Sequence, residues 1–166
     1  MKKIAIVIAF LFTAQINAGS AQTKENSTNE VLDAYYQLKN ALATDDNTLA
    51  AKSATLLAKQ LSEIKTARFS VANENVWVKQ SAEAKSAALS IAASTEIAQQ
   101  RKLFGTLSNS MIKIVKNLKV GKDAIFVQYC PMAKESWLNE NKKIKNPYYG
   151  KSMLTCGTVK EVINDK

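Results

Sequence analysis

The order of apolar and polar positions divides the chain into a periodic first two thirds and an aperiodic remainder. Val31, Tyr35, Leu38 and Leu42 recur at intervals of three and four, the stripe of an amphipathic helix. Ser27-Thr-Asn-Glu30, ahead of them, has the form of a capping box, which predicts a first helix from there to about Ala43. Thr44-Asp45-Asp46-Asn47 is a turn cluster whose last member is placed to cap a second helix, striped by Leu49, Leu57, Leu61 and Ile64. A third helix is predicted from near Asn75, carrying Trp77, Ala84, Ala88 and Ile91. Ser94-Thr-Glu96 caps a fourth, whose Ile97, Phe104, Met111 and Leu118 fall seven apart and interleave with Leu107 and Ile114. Met111 reads as packing on that stripe. Short connections between such helices place neighbours antiparallel.

Helical spacing stops at Gly121, and Ala124 to Tyr129 become the short apolar and aromatic run of a strand. Asn146-Pro147 marks a turn, Gly150 and Gly157 suit positive φ or close packing, and Thr158 to Ile163 forms a last strand or short helix. The expected fold is mainly α: an antiparallel four-helix bundle over 30–120 and a small C-terminal unit of two short strands and loops over 121–166, together one domain, 30–166. At the other end, Lys2-Lys3, the apolar run Ile4 to Ala14 and the small residues around Ala18 to Ala21 have the layout of a cleavable secretory signal over 1–21. Polar residues 22–29 read as a disordered lead-in. No other stretch nears the roughly 20 apolar residues of a membrane-spanning helix. A periplasmic or secreted, non-spanning protein is expected.

Charge changes this picture in one respect. Losing Lys2 and Lys3 takes the formal charge from +9 to +7, and residues 101–166 hold 13 basic and 5 acidic side chains against 8 and 9 in 22–100. The excess lies with the aperiodic third, where it favours acidic partners or anionic membrane surfaces. Export and the lack of a recognition motif set nucleic acid aside. Asp45 and Asp46, adjacent at a helix start, read as caps that complement the helix dipole. The chain has no histidine, which removes Ser-His and Cys-His catalysis and histidine-ligated zinc. With no phosphate-binding glycine loop either, an enzyme is not expected.

The candidate chemistry is sulfur. Cys130-x-Met132 and Met153-x-x-Cys156 sit almost as mirror images within 26 positions, and thiolate with thioether suits Cu(I) or Ag(I). Two cysteines in an exported chain also suit a Cys130–Cys156 disulfide, which by chain entropy contributes about 3 kcal/mol for a loop of this size. Thiol redox chemistry is a third reading, although the pair is not Cys-x-x-Cys. Arg101 falls in the buried arc of the fourth helix, where it can tie the bundle to the C-terminal segment through a carboxylate or carbonyl. Trp137 is close enough in sequence to cover the sulfurs or to plug the unit.

Cys130-Pro-Met-Ala133, Trp137-Leu138, Asn146-Pro147-Tyr148-Tyr149-Gly150 and Met153-Leu-Thr-Cys-Gly157, with Gln100-Arg101, Phe104 and Leu107-Ser108 upstream, resemble a secreted bacterial domain of unknown function, family 3347 in its series. The pattern of that family has a longer glycine-containing insert before the tryptophan, where this chain has only Lys134, Glu135 and Ser136. The family occurs alone or attached to copper/silver efflux adaptor proteins. The resemblance therefore implies a periplasmic soft-metal binding module of heavy-metal efflux or homeostasis. An efflux adaptor is the implied partner, and Asn146, Pro147, Tyr148 and Gly150 are the implied support of the site. A disulfide-stapled interaction module without metal remains the alternative, and a thiol oxidoreductase the second.

Overall fold

The computed structural model describes residues 19–121 and 123–164, with side chains from Thr28 onward except Arg68. Four helices, α1 (Gly19–Ala43), α2 (Asn47–Glu63), α3 (Val71–Ala93) and α4 (Ile97–Leu118), precede three strands, β1 (Ile125–Cys130), β2 (Glu135–Asn139) and β3 (Thr158–Ile163). Each helix packs on the next in chain order, α4 carries β2, and α1 touches α4 only lightly. The predicted stripes face inward: Tyr35, Leu38, Leu42, Leu57, Ile91, Phe104, Leu107, Met111 and Ile114 are all buried. Ala50, Ala54, Ala84 and Ala88 are buried between them, and their short side chains let α2 and α3 approach closely.

Several boundaries differ from expectation, and each difference has a local cause. Helix α1 begins at Gly19, so Ser27-x-x-Glu30 lies inside it and starts nothing, and the residues read as a lead-in are helical. Residues 1–18 of the expected signal lie outside the described residues. Asp46, one residue before the expected cap, holds the start of α2 by accepting the Leu49 N–H at 2.8 Å. Its neighbour Asp45 takes the left-handed turn, φ 62°. Leu49 faces outward at 46 % exposure, because Ala50, Ser53 and Ala54 occupy the inner stripe. Helix α3 starts at Val71 on a Ser70 cap, earlier than Asn75. Lys119, not Gly121, ends α4 in the left-handed conformation.

The C-terminal unit has three strands where two were expected, in the order β2-β1-β3 and antiparallel throughout. The missed strand, β2, carries Trp137 and Leu138. It follows β1 after a tight turn in which Lys134 adopts φ 56°, and five residues of mixed polarity are too few to show alternation. Pairing sets Gln128 opposite Trp137 and Val127 opposite Leu138. Tyr35 joins α1, α4 and β2: its hydroxyl contacts Ser108 Oγ at 2.7 Å and accepts the Leu138 N–H at 3.1 Å. Burial pushes its phenol far up, partly opposed by these two bonds, so it stays protonated.

Candidate functional site

The site is built on the end of β1. Cys130 closes the strand, fully buried, and Pro131 to Lys134 turn the chain back into β2. That turn folds the Ala133 N–H onto Cys130 Sγ at 3.5 Å. The segment 140–157 then crosses the same face. Gln128 Nε2 donates to the carbonyls of Asn141, Lys142 and Lys143 at 3.2 to 3.3 Å, and Gly157 rests against Trp137. This crossing delivers Cys156 to Cys130 with the two Sγ atoms 4.0 Å apart. A disulfide bond is about 2.05 Å long, so these are two free thiols in contact.

Their environments are unequal. Cys130 is fully enclosed and Cys156 partly open. Burial works to raise the Cys130 pKa, but N–H groups of Ala133 and Met132, the Asn146 side chain and the Cys156 thiol outweigh it and hold the pKa below its ordinary value. Burial and the adjacent Cys130 sulfur push the Cys156 thiol up. The pair therefore loses its first proton from Cys130, with the Cys156 S–H donating to the thiolate that forms.

Asn146 is the clamp of the crossing segment. Fully buried, it donates from Nδ2 to the Cys156 carbonyl at 2.8 Å and from its backbone N–H to the Leu154 carbonyl at 2.8 Å. Its Oδ1 accepts the N–H groups of Tyr148 at 2.8 Å and Tyr149 at 3.3 Å, the Asx-turn expected before proline. Tyr148 donates its hydroxyl to the Ser136 carbonyl at 2.8 Å and packs edge-on to Trp137. Trp137 is wholly buried. A Cβ at Gly157, where φ is 146°, would come 2.9 Å from the Tyr129 carbonyl and 3.0 Å from the indole, so only glycine fits beside Cys156.

Arg101 fastens this segment to the bundle through both a carboxylate and carbonyls. Its Nε donates to the Pro147 carbonyl at 3.0 Å, and its Nη2 donates to the Leu42 carbonyl at 2.8 Å and to Asp45 Oδ1. The hydrogen bond from Arg101, helped by the Lys151 N–H, holds the Asp45 carboxyl below the usual range. Gly150, at φ 56°, lies so close to Asp45 and Arg101 that any side chain would collide with both. Asp45 is thus an ion-pair partner and Asp46 a cap.

The four sulfurs are not gathered equally. Met132 lies in the turn beyond β1 and is 61 % exposed, and Met153, at the end of the 3-10 turn Gly150–Met153, is 40 % exposed. The fold brings the thiols together and leaves the thioethers at the surface. Strand β1 ends at Cys130 itself, so strand alternation does not carry Met132 to the same face. Among the described residues no group of three or more Asp, Glu, Cys and His side chains is placed to hold a metal ion. Any metal here would rest on the two thiolates and on sulfur.

One buried group was not singled out from the sequence. Lys39, fully enclosed in α1, donates to Asn139 Oδ1 and pairs with Glu140 Oε2 at 2.7 Å. Burial lowers its pKa against the pull of Glu140. On Glu140, burial acts upward, but the hydrogen bonds from Asn40 and Lys39 prevail and hold the carboxyl low. The only hint was that Lys39 directly follows Leu38 on the apolar side of a helix.

Compared with known proteins, the chain matches the family described as "Protein of unknown function (DUF3347)" over residues 31–123, and it belongs to that family. The match runs from α1 through α4 and stops before β1, so the helices carry it and the thiol pair lies beyond it. No curated protein and no solved structure matches the chain. Among the described residues no helix is long and apolar enough to cross a membrane.

Proposed function

We propose that the chain is an exported binding module for a soft monovalent ion, Cu(I) or Ag(I), held by Cys130 and Cys156. The observation that carries this reading is the 4.0 Å contact between two reduced thiols that are 26 residues apart in sequence. Two thiolates each about 2.3 Å from one ion, the usual metal–thiolate distance, lie at most about 4.6 Å apart. The observed spacing is within that limit, and it needs no backbone rearrangement to admit an ion. Turn N–H groups favour the first thiolate, and binding an ion would release the second proton. Met132 and Met153 stand two and three residues away along the chain, where thioethers suit the same ions. The resemblance to a domain found attached to copper/silver efflux adaptors makes such an adaptor the proposed recipient. The secretory layout of residues 1–21 supports a periplasmic or extracellular setting for this module.

The same contact supports a second reading. Two thiols at 4.0 Å are also a disulfide in waiting, and oxidation would staple the crossing segment for an interaction role without metal. Competition with a Cu(I) chelator, on reduced protein without oxygen, separates the two. The metal reading expects one Cu(I) per chain, loss of binding in Cys130→Ser/Cys156→Ser, and weaker binding in Met132→Leu and Met153→Leu. No competition by the native chain, or equal competition by the double cysteine variant, would leave the stapled module standing.

A further inference from the structure

Two thiolates each about 2.3 Å from one ion, with their sulfurs 4.0 Å apart, enclose an angle of about 120° at that ion. A straight two-donor arrangement needs a spacing of about 4.6 Å. The observed spacing is therefore that of a three-donor ion. It is held by backbone fixed on both sides. Cys130 ends β1 in register with Glu135 of β2. Cys156 has its carbonyl on Asn146 Nδ2 at 2.8 Å, and its N–H donates to the Met153 carbonyl at 3.0 Å.

The chain supplies only two strong donors for three positions. Among the described residues no third Asp, Glu, Cys or His side chain joins the thiols to hold a metal. Met132 and Met153 lie at the surface, and their neutral thioethers bind a cation less strongly than a third thiolate does. Access is one-sided. Cys130 is enclosed, and the N–H groups of Ala133 and Met132 and the Asn146 side chain already face its sulfur. Cys156 is partly open, so a further donor reaches the ion from its side. Charge then selects that donor. Residues 101–166 carry 13 basic and 5 acidic side chains, and Glu135, Glu140 and Glu161 are engaged by Asn109, Lys39 and Lys116. Such a surface draws an anionic ligand and repels a cationic one.

We propose, on the basis of the metal reading and resting on it, that Cys130 and Cys156 share their ion with a small thiol bearing carboxylate groups, whose sulfur takes the third position from the Cys156 side. Binding forms one ion–sulfur bond, releases the thiol proton to water and changes no oxidation state. The ion then enters and leaves by exchange of one sulfur for another, with the fold unopened.

The test takes the full reduced chain carrying one Cu(I), free of oxygen, through equilibrium dialysis against glutathione, S-methylglutathione and cysteamine. The copper-loaded chain is expected to retain one glutathione, and the metal-free chain none. Retention should be lost with S-methylglutathione, whose sulfur is blocked. Cysteamine, a thiol with an ammonium in place of carboxylates, should be held more weakly, by up to about fivefold for each exposed ion pair it lacks. Added salt should narrow that difference. Glutathione held by the metal-free chain, none held by the loaded chain, or equal retention of either analogue overturns the inference while Cu(I) binding stands. A native chain that takes up no Cu(I) in the chelator competition removes the metal reading and this inference together.

Discussion

The helical bundle and the C-terminal unit solve the same problem with different forces. In α1 to α4 the core is a continuous apolar layer of leucine, isoleucine, phenylalanine and alanine, which buries surface without needing direction. The segment 140–157 has few such residues. It is fixed by amides and a guanidinium reaching backbone carbonyls: Asn146 to Cys156 and Leu154, Gln128 to the 141–143 carbonyls, and Arg101 to Pro147 and Leu42. Hydrophobic burial tolerates shifts of register and rotamer, whereas a hydrogen bond weakens steeply with angle and distance. The contact that holds two thiols at 4.0 Å is accordingly found in the second region and not in the first.

That contrast can be broken at its largest contributors. Trp137→Ala, which empties the one large apolar plug of the C-terminal unit, is expected to cost roughly 3–5 kcal/mol. Leu107→Ala, in the bundle, should cost roughly 2–5 kcal/mol. Chemical denaturation with thiol reactivity followed in parallel distinguishes them: the tryptophan variant should expose Cys130 to a thiol reagent under native conditions, while the leucine variant should expose it only on global unfolding.

Arg101→Gln sharpens the same comparison at the joint between the regions. It strands carbonyls of Pro147 and Leu42 together with Asp45, a loss of about 2 kcal/mol at this partly exposed position. The bundle should stay helical by circular dichroism while Cys130 gains reactivity. Unchanged reactivity would mean that Arg101 does not hold the segment.

A smaller effect is expected from pH. The Asp45 carboxyl is held below its ordinary value of 3.8, chiefly by the hydrogen bond from Arg101. The folded chain thus binds this proton less readily than the unfolded one. The stabilisation is complete above 3.8 and fades as pH falls through the lower folded value. Asp45→Asn should flatten that acid limb of stability measured against pH, and an unaltered slope would assign the limb to other carboxylates. Smallest of all, Met132→Leu at an exposed turn should change stability by less than about 0.5 kcal/mol. A larger loss would show the thioether packed into the unit.

Much of the bundle was legible because its information is local. The Phe104, Leu107, Met111 and Ile114 stripe repeats with the helix period and needs no partner to be recognised, and the structure buries all four. Helix ends were read less well. Asn47 lost the cap to Asp46, and Ser27 to an α1 that begins at Gly19, because several residues near a helix start can cap and tertiary packing chooses among them. Strand β2 escaped notice for the opposite reason: Glu135 to Asn139 has no alternation of its own and exists through its pairing with β1.

The candidate site divides along the same line. The residue types themselves, two cysteines each near a methionine, an asparagine before proline and glycines at 150 and 157, were determined by the sequence, and with them the soft-donor chemistry and the turn. Which sulfurs meet was decided only by the tertiary structure. Cys130 and Cys156 come to 4.0 Å because Asn146, Gln128 and Arg101 lay the crossing segment over β1. Met132 is left outside because β1 ends one turn too soon. Chain spacing limits how far two side chains can be from each other, but their approach depends on the path between them. That path is set here by hydrogen bonds between residues 8 to 59 positions apart, which no local pattern records.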